Sequence, residues 1–399
     1  MALKVLIDQH HCDLFRGFQM LFEKRLGWEV YRPSGAEFYP RFYWHPIEGE
    51  ALGNLTPHAV FDPAIHKSVL PPPEEQINGK LWQNFRLGLN DGVRFRWMTL
   101  DEAKNVDLIV CTIARNESRF YDLRKHLGLK CPILRYTGNT MEPLNLDHFD
   151  IFLPAYYPDY EQYVKTGKKP GILYHPEFDE SLYCYTPVTQ KYEGPNGEAW
   201  NHAIIRGFLN FMWHHRESGG MYEYWNRYAC YATEVGAKSF MHGVGVPPEG
   251  VDLEINVPMD IALEKAGRLD LKDRSKWPDL RWNRGEAPNH PILAGLMKMC
   301  NMVVHPKWLA EGYGFVIHQL ASVGRPPIVP RHYETLSAKL FLQHRETCIF
   351  MSPDEGTCKA DFHWALEPEN NARMSETLHK RFKETVSFED EAAKIEALL

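Results

Sequence analysis

One stretch, residues 311–324 (EGYGFVIHQLASVG), combines a carboxylate, two glycines around an aromatic ring and an apolar run at helical spacing. The run "NMVVHP" (301–306) before it predicts a buried strand, so the glycines stand in a strand-to-helix turn. Glycine lets the backbone approach a ligand closely. The backbone amides of Gly314, Phe315 and Val316, at the start of a helix, would bind an anion such as a pyrophosphate with the help of the helix dipole.

Glu311 stands beside this predicted anion and cannot bind it, because like charges repel. Its carboxylate can instead accept hydrogen bonds from hydroxyl groups attached to the anion. A sugar diphosphate carries both kinds of group, so the stretch predicts a nucleotide-sugar site. The alternative is an ordinary glycine-rich turn, Gly312-Tyr313-Gly314, next to an exposed glutamate.

The N-terminal half alternates short apolar strands with amphipathic helices. Helices are predicted at 13–26 and 116–127, and the order strand-helix-strand at the start indicates a parallel sheet with right-handed crossovers. The irregular, Pro- and Gly-rich residues 33–100 are interpreted as an insertion. The predicted strands are 3–7, 28–33, 106–113, 131–138, 149–155 and 171–176.

A second α/β series follows a polar stretch at 189–201, which is interpreted as the interdomain linker. Its predicted strands are 202–209, 237–245, 301–306, 326–329 and 348–352. Its predicted helices are 218–235, 291–300, 314–324 and 334–344, with a charged helical tail from 355. We predict an α/β protein with a Rossmann-like domain at 1–188, a second at 189–375 and a helical tail at 376–399. Ligands bind such sheets at the carboxyl ends of the strands, which places the site in a cleft between the domains.

The Glu311–Phe315 turn resembles the donor site of the retaining GT-B glycosyltransferases, whose pattern is Glu-Gly-aromatic-Gly with a second Glu eight positions after the first. The run 321–329 (ASVGRPPIV) and, more weakly, 171–179 (GILYHPEFD) resemble further family segments. The second acidic position departs from the pattern and is Gln319, which keeps one acceptor oxygen but loses the charge. The resemblance implies the GT-B fold, two Rossmann-like domains facing across a cleft, and retention of anomeric configuration. It also implies no metal and no cofactor, with a nucleoside-diphosphate sugar, expected to be a UDP-sugar, as co-substrate.

The same resemblance implies further donor-side residues. Arg206 is expected at the end of a strand, where it would stabilise the departing diphosphate. Arg216 is the candidate for the family's second cation, and Trp282 is a candidate for stacking on the base. For Arg206 a plain surface charge is the competing interpretation.

The acceptor-side candidates follow predicted strands of the N-terminal half; they are Asp8, His10, His11, Asp13, Arg115 and Arg135. Histidines suit hydroxyl contacts and proton transfer near neutral pH. The order His-His-x-Asp also invites a metal interpretation, but adjacent side chains rarely converge on one ion, so no metal site is predicted. Asp13 has a plain helix cap as its competing role.

The start of the chain suggests one class of acceptor. The double histidine and the segments 21–27 (LFEKRLG) and 25–35 (RLGWEVYRPSG) resemble phage-type glycosyltransferases in a general way. That resemblance implies a modified base in phage DNA as the acceptor, which would have to be flipped out of a duplex. The stretch 85–97 (FRLGLNDGVRFRW) is the best candidate for contacting DNA phosphates.

The overall composition excludes several classes. The 399 residues carry a net charge of -7, 44% hydrophobic and 24% charged residues, which fits a soluble protein without a global basic surface. The eight cysteines are scattered, which predicts reduced thiols. There is no signal peptide and no membrane span, so we expect the cytoplasm of a bacterium or of a phage-infected cell. The sequence does not determine the oligomeric state.

Three functions fit these patterns. The first is a hexosyl- or pentosyltransferase that moves a sugar from a nucleoside-diphosphate sugar to a hydroxyl group. The second is a nucleotide-sugar epimerase on the same fold, which needs only one sugar nucleotide. The third is a non-catalytic subunit that binds nucleotide sugars, an alternative motivated by Gln319.

Overall fold

The structure is a computed structural model that describes ten segments of the chain. Most of the predicted insertion, residues 34–95, lies outside them. The described residues are 2–8, 12–33, 96–99, 101–112, 114–138, 142–194, 197–210, 218–244, 290–307 and 312–399.

The chain divides into two compact units. Unit 1 comprises Met1–Phe178 and Val386–Leu399, and unit 2 comprises Asp179–Thr385. The chain therefore enters unit 2 after residue 178 rather than 188, and leaves it after residue 385 rather than 375. The later exit has a physical cause, because the long helix at 368–385 packs against the helix at 315–323 inside unit 2.

Unit 1 is built on a six-stranded parallel sheet in the order β3-β2-β1-β4-β5-β6. This is the Rossmann order, and it confirms the α/β prediction for the N-terminal half. The side chains of β4 and β5 are buried along the whole strand, as expected for a parallel sheet covered on both faces. The strands are β1 (Lys4–Ile7), β2 (Glu29–Pro33), β3 (Arg96–Met98), β4 (Leu108–Cys111), β5 (Ile133–Thr137) and β6 (Ile151–Pro154).

Two helices of unit 1 follow β1 and β4. The first, α1 (Cys12–Gln19), continues as a π-helical segment (Met20–Arg25) and buries an apolar face that includes Phe18 and Phe22. Because α1 begins at Cys12, Asp13 lies in its first turn and not at its cap, which corrects the predicted helix start. The second, α2 (Glu117–Leu127), ends at Gly128 in the left-handed conformation, a common helix terminator.

Unit 2 contains a second parallel sheet in the order β10-β9-β11-β12-β13 and a two-stranded hairpin, β7-β8. The predicted second Rossmann-like domain is therefore confirmed. The hairpin occupies the predicted linker, because Tyr192 pairs with Trp200 and donates a hydrogen bond from its hydroxyl to Asn301 at 3.1 Å. The strands are β7 (Tyr192–Glu193), β8 (Ala199–Trp200), β9 (Ile204–Asn210), β10 (Lys238–Val244), β11 (Met302–Val304), β12 (Pro327–Val329) and β13 (Ile349–Phe350).

Helices cover both faces of this sheet. On one face Trp225, Tyr228 and Phe362 pack against Ile205, with Gly207 directly under Trp225. A Cβ atom on Gly207 would lie 2.8 Å from the Trp225 ring, so this close contact requires glycine. None of the described helices is long and apolar enough to cross a membrane. The helices of unit 2 are α3 (Ser218–Glu234), α4 (His290–Lys298), α5 (Phe315–Val323), α6 (Glu355–Leu366) and α7 (Pro368–Thr385).

Two predicted elements are wrong. Residues 171–176 form no strand and make a single bridge from Gly171 to Phe152, where a Cβ atom would lie 1.8 Å from the Phe152 carbonyl oxygen. Residues 334–344 form no α-helix. Two 3₁₀ segments, Arg331–Thr335 and Ser337–Leu340, stand there instead, because Leu336 between them is extended (φ -92°, ψ 176°).

The last helix, α8 (Phe388–Glu396), belongs to unit 1 and is held there by polar contacts. The Glu391 carboxylate accepts hydrogen bonds from the His175 backbone amide (2.9 Å) and from the His175 ring nitrogen Nδ1 (2.6 Å). Arg25 bridges Glu177 and Glu389. These buried and half-buried contacts fix α8 against the segment that precedes unit 2 in sequence.

Arg325 connects three segments of unit 2 although its side chain is fully buried. Its guanidinium donates hydrogen bonds to carbonyl oxygens of Lys298 (2.7 Å), Val323 (3.1 Å) and Thr186 (2.6 Å). Lys298 and Val323 are the last residues of α4 and α5, so the cation also meets the negative ends of two helix dipoles. Burial lowers the pKa of Arg325, but the contacts with carbonyl oxygens favour the charged form.

We predict that Arg325→Met lowers the free energy of unfolding by about 3 kcal/mol, because buried carbonyl oxygens lose their donor. The measurement is urea denaturation followed by circular dichroism. Arg331→Met is the control, since Arg331 is exposed, with Glu334 one turn away and its guanidinium 5.9 Å from the Phe350 ring centroid, and it should cost less than about 0.5 kcal/mol. Equal losses for the two variants would contradict the assigned role of Arg325.

Candidate functional site

The carboxyl ends of β9 and β11 form the topological switch point of unit 2. From β9 the chain moves to β10 on one side, and β11 then lies on the other side. In open α/β sheets, ligands bind outside the carboxyl ends of the strands at this point. The turn Gly312-Tyr313-Gly314 belongs to the connection from β11 to α5 and leads directly into the helix.

Gly314 is the N-cap of α5 and has a left-handed backbone (φ 72°, ψ 72°). An L-residue there would cost about 1–2 kcal/mol, which explains the glycine. The Gly314 carbonyl oxygen accepts hydrogen bonds from the backbone amides of Ile317 (3.0 Å) and His318 (3.2 Å). Tyr313 is buried and its ring packs edge-on against Phe315 at 4.9 Å. The predicted glycine turn and helix start are thus confirmed.

The start of α5 has the features of an anion site. The helix has nine residues and no acidic residue in its first turn. Within the described residues, the backbone amides of Gly314 and Val316 have no hydrogen-bond acceptor. Such amides at the positive end of a helix dipole bind phosphate groups.

Gln319 adds a second polar group next to these amides. Its side chain is 2% exposed, and it makes no hydrogen bond with any part of the chain that the structure describes. Helical side chains lean toward the N-terminus, so Gln319 covers the turn that contains Phe315 and Val316.

Arg206 is not at the end of its strand, which corrects the predicted placement. It is the third residue of the seven-residue strand β9, and its side chain is 6% exposed. The guanidinium lies 5.0 Å from the Phe240 ring centroid and 2.6 Å from His242 Nε2. Arg206 is level with Val303 of β11, one residue before that strand ends, and four further residues of β9 follow it. Its contacts with Phe240 and His242 favour a structural role over contact with a diphosphate.

His305 is a residue that the sequence reasoning missed. It is the first polar residue after β11, 5% exposed, and its backbone amide donates to Ile328 on β12 at 2.9 Å. Its ring packs edge-on against Tyr333, which follows β12. The signal in the sequence was the polar residue directly after the apolar run "VV". His305 therefore lies at the switch point where Arg206 was expected.

Several predicted site residues lie outside what the structure describes. For Asp13 and Arg115 only the backbone is described, in α1 and in a short 3₁₀ turn, Ala114–Asn116. Among the described residues, no three His, Cys, Asp or Glu side chains are grouped as metal ligands. The residues outside the described ranges are Glu311, His10, His11, Arg216 and Trp282.

Asp8 occupies the switch point of unit 1, between β1 and β4. Its carboxylate accepts hydrogen bonds from the Thr112 amide (2.6 Å), the Thr112 hydroxyl (3.0 Å) and the Asn116 side chain (2.9 Å). Burial raises the pKa of Asp8, and these hydrogen bonds offset part of that effect. Because both oxygens are engaged within the protein, Asp8 ties together the loops after the two strands rather than presenting a free carboxylate.

Arg135 is fully buried inside β5 and is engaged by acidic groups. It pairs with Glu117 at 3.2 Å and with Glu142 at 2.6 Å. A buried ion pair of this kind fixes the surrounding segments, and breaking it leaves an uncompensated charge. These contacts favour a structural role over the predicted acceptor contact.

Asp159 is a second acidic residue at this edge of unit 1 that sequence reasoning missed. It follows β6, and its carboxylate accepts a hydrogen bond from the Thr137 hydroxyl, at the end of β5, at 3.2 Å. Burial, with a smaller contribution from the charge of Glu142, raises the pKa of Asp159 to about 6. A carboxyl group with such a pKa can take up a proton near neutral pH.

The raised pKa of Asp159 predicts a pH-dependent stability. The folded state favours the protonated form of Asp159. Its contribution to the free energy of unfolding is therefore complete below pH 3.8, the ordinary pKa, and is lost as the pH rises through about 6. At pH 8, Asp159→Asn should be more stable than the wild type by roughly 1 kcal/mol after allowance for solvent screening, and at pH 4 the two should match. Urea midpoints at both pH values test this. The control Asp147→Asn, at an exposed aspartate, should show no such difference.

Comparisons with known proteins match this architecture. No family model matches the chain, and no curated protein matches its sequence. HepE of Anabaena, solved in complex with UDP and with UDP-glucose, is 11% identical, has a TM-score of 0.58 with the UDP complex, and is aligned over 100% of both chains. Sucrose-phosphate synthase from Thermosynechococcus elongatus is 14% identical over 100% of this chain and 98% of that chain, with a TM-score of 0.56.

A glycosyltransferase from Rickettsia africae ESF-5 is 10% identical over 100% of this chain and 98% of that chain, with a TM-score of 0.59. At these identities the likeness concerns the fold. The likeness to each of the three structures extends over 100% of this chain. Its fold is therefore that of the GT-B glycosyltransferase structures.

Proposed function

We propose that the protein is a glycosyltransferase that moves a sugar from a UDP-sugar to a hydroxyl group of an acceptor. The observation that carries the proposal is the start of α5 at the switch point of unit 2. There Gly314 presents backbone amides at the positive end of a helix, and the buried side chain of Gln319 lies one turn further on. The fold shared with glycosyltransferases supports it, as does the presence of UDP and UDP-glucose in the HepE structures.

The chemistry follows from what these groups can hold. Transfer breaks the bond between the sugar C1 and the diphosphate oxygen and forms a bond from C1 to the acceptor oxygen, which gives up its proton. Negative charge grows on the departing diphosphate, and the amides of Gly314 and Val316 are fixed where they stabilise it. Such preorganised donors need no rearrangement as the charge develops. Retention of configuration is the outcome that the resemblance of the turn implies.

The donor sugar would be held by Glu311, whose carboxylate accepts hydrogen bonds from sugar hydroxyls. Gln319 would contact the nucleotide with one acceptor oxygen and one amide donor, where the resembled family has a carboxylate. His305, directly after β11, would contact the diphosphate in place of Arg206. Arg216 and Trp282 keep their predicted donor-side roles as cation and base-stacking ring.

The acceptor would bind to unit 1. Asp8 fixes the loops after β1 and β4, and the predicted hydroxyl contacts of His10 and His11 come from the first of these loops. Asp159 adds a carboxyl group suited to proton uptake. A DNA acceptor stays a prediction that rests on residues 85–97, and it requires DNA retention that is lost at moderate salt.

The two alternatives predict different products. An epimerase would convert a UDP-sugar without any acceptor, so product analysis with donor alone separates it from a transferase. A non-catalytic subunit would bind UDP with no transfer or hydrolysis. We favour the transferase because the solved structures that resemble this chain include a glycosyltransferase, of which 98% is covered.

The donor site is tested by UDP binding to Gly314→Ala. Gly314 and Gly236 have the same left-handed φ of 72°, and an added Cβ atom on Gly236 would meet nothing within 4 Å. Alanine at either position carries a similar backbone strain, about 1–2 kcal/mol. Gly314→Ala should weaken UDP binding at least about 10-fold in calorimetry, whereas Gly236→Ala should bind UDP like the wild type. Equal UDP affinity in both variants would remove the site from the start of α5.

Catalysis is tested by Glu311→Ala. We expect transfer from UDP-glucose to fall by about 1,000-fold, because the donor sugar loses its positioning hydrogen bonds, while UDP itself still binds. The exposed Glu384→Ala serves as the control and should keep full turnover. Unchanged turnover in Glu311→Ala would rule out this role of the carboxylate.

A further inference from the structure

His318 lies in the middle of α5 and is fully buried. The other buried residues of this helix include the apolar Ile317, Leu320 and Val323. A polar imidazole ring is therefore unusual at this position. A buried polar ring costs free energy unless its nitrogen atoms are used. The contacts of His318 show what the ring is used for.

The imidazole nitrogen Nδ1 of His318 lies 3.0 Å from the Gly314 carbonyl oxygen. Because a carbonyl oxygen only accepts, Nδ1 carries the proton and donates. The same oxygen also accepts the backbone amides of Ile317 and His318. Three donors therefore converge on the carbonyl oxygen of Gly314, whose backbone is left-handed.

The ring itself is fixed by aromatic neighbours. It stacks on Tyr313 with centroids 3.9 Å apart and an angle of 21° between the planes. Phe341 and Phe382 pack against it edge-on at 5.1 Å and 6.3 Å. One side chain thus holds two residues of the glycine turn at once, Tyr313 by stacking and Gly314 by a hydrogen bond.

We propose that His318 is a positioning residue that keeps the Gly314 turn in its anion-binding conformation. The inference rests on the proposed function, since it concerns the same donor site. Glycine can adopt many backbone conformations, so the turn that exposes the Gly314 amide needs an external restraint. With the turn held in advance, the ligand does not have to order it on binding, and affinity is higher for that reason.

A purely structural role predicts a different result from a positioning role. Without the imidazole bond, the Gly314 carbonyl oxygen still accepts two backbone amides, so no buried acceptor is left without a donor. Loss of this bond should therefore change ligand binding more than stability. The described residues also offer a matched comparison, a histidine of α7 that contacts the same helix α5.

His379 makes the same kind of contact at the other end of α5. Its Nδ1 donates to the Ser322 carbonyl oxygen at 2.8 Å, and its ring stacks on Tyr185 at 4.7 Å. Substitution of either histidine by phenylalanine keeps a stacking ring and removes one imidazole-to-carbonyl hydrogen bond. Only the His318 bond reaches the glycine turn.

The experiment measures the Kd for UDP and the KM for the donor in the wild type, His318→Phe, His318→Asn and His379→Phe. We expect His318→Phe to raise both constants about 10-fold and His379→Phe to leave them within about 2-fold. His318→Asn keeps an amide donor near the position of Nδ1 and should recover part of the affinity. It also provides a second test if the phenylalanine variant fails to fold.

Two results would overturn the proposal. Equal UDP affinity in His318→Phe and the wild type would show that the ring does not position the site, and so would an equal loss in His318→Phe and His379→Phe. Failure of the wild type to bind any nucleoside diphosphate would instead reject the proposed function itself. The two failures are therefore distinguishable from the wild-type measurement alone.

Discussion

All strands of the two main sheets run parallel, and this constraint determines where chemistry can occur in the molecule. Each strand of a parallel sheet must be followed by a crossover, so the helices that follow the strands begin at the edge where the strands end. Helix starts offer amides and positive dipole ends, and the loops there are free to carry polar residues. Gly314 and His305 in unit 2, and Asp8 and Asp159 in unit 1, all belong to such edges.

The two switch points have opposite electrostatic character. In unit 1 a buried aspartate, Asp8, uses both oxygens to bind the neighbouring loop, and its carboxyl group disfavours an anion at that point. In unit 2 the first turn of α5 carries no acidic residue and begins at a left-handed glycine. This contrast agrees with a diphosphate in unit 2 and a neutral hydroxyl compound in unit 1.

The sequence predicted the fold class and most strands, because buried parallel strands appear as short apolar runs bounded by turn residues. It also located the Gly314 turn, because two glycines directly before an apolar helix are compatible with few backbone structures other than a turn. It failed at 171–176, where an apolar run lies beside β6 and makes only one bridge, at Gly171, and one further hydrogen bond, from the Tyr174 amide to the Pro154 carbonyl oxygen. It misplaced Arg206, because strand ends are uncertain by several residues and burial against Phe240 depends on a strand distant in sequence. Asp159 was missed for a similar reason, since its pKa depends on burial and on charges from another strand.

The return of α8 to unit 1 makes that unit discontinuous in sequence, with all of unit 2 inserted between its two parts. During synthesis on the ribosome, unit 2 leaves the exit tunnel as one continuous stretch, whereas unit 1 lacks the partner of His175 until Glu391 has been made. Unit 2 can therefore complete its core first, although it is encoded second. The contact between His175 and Glu391 then completes unit 1 only after the whole of unit 2 has been made.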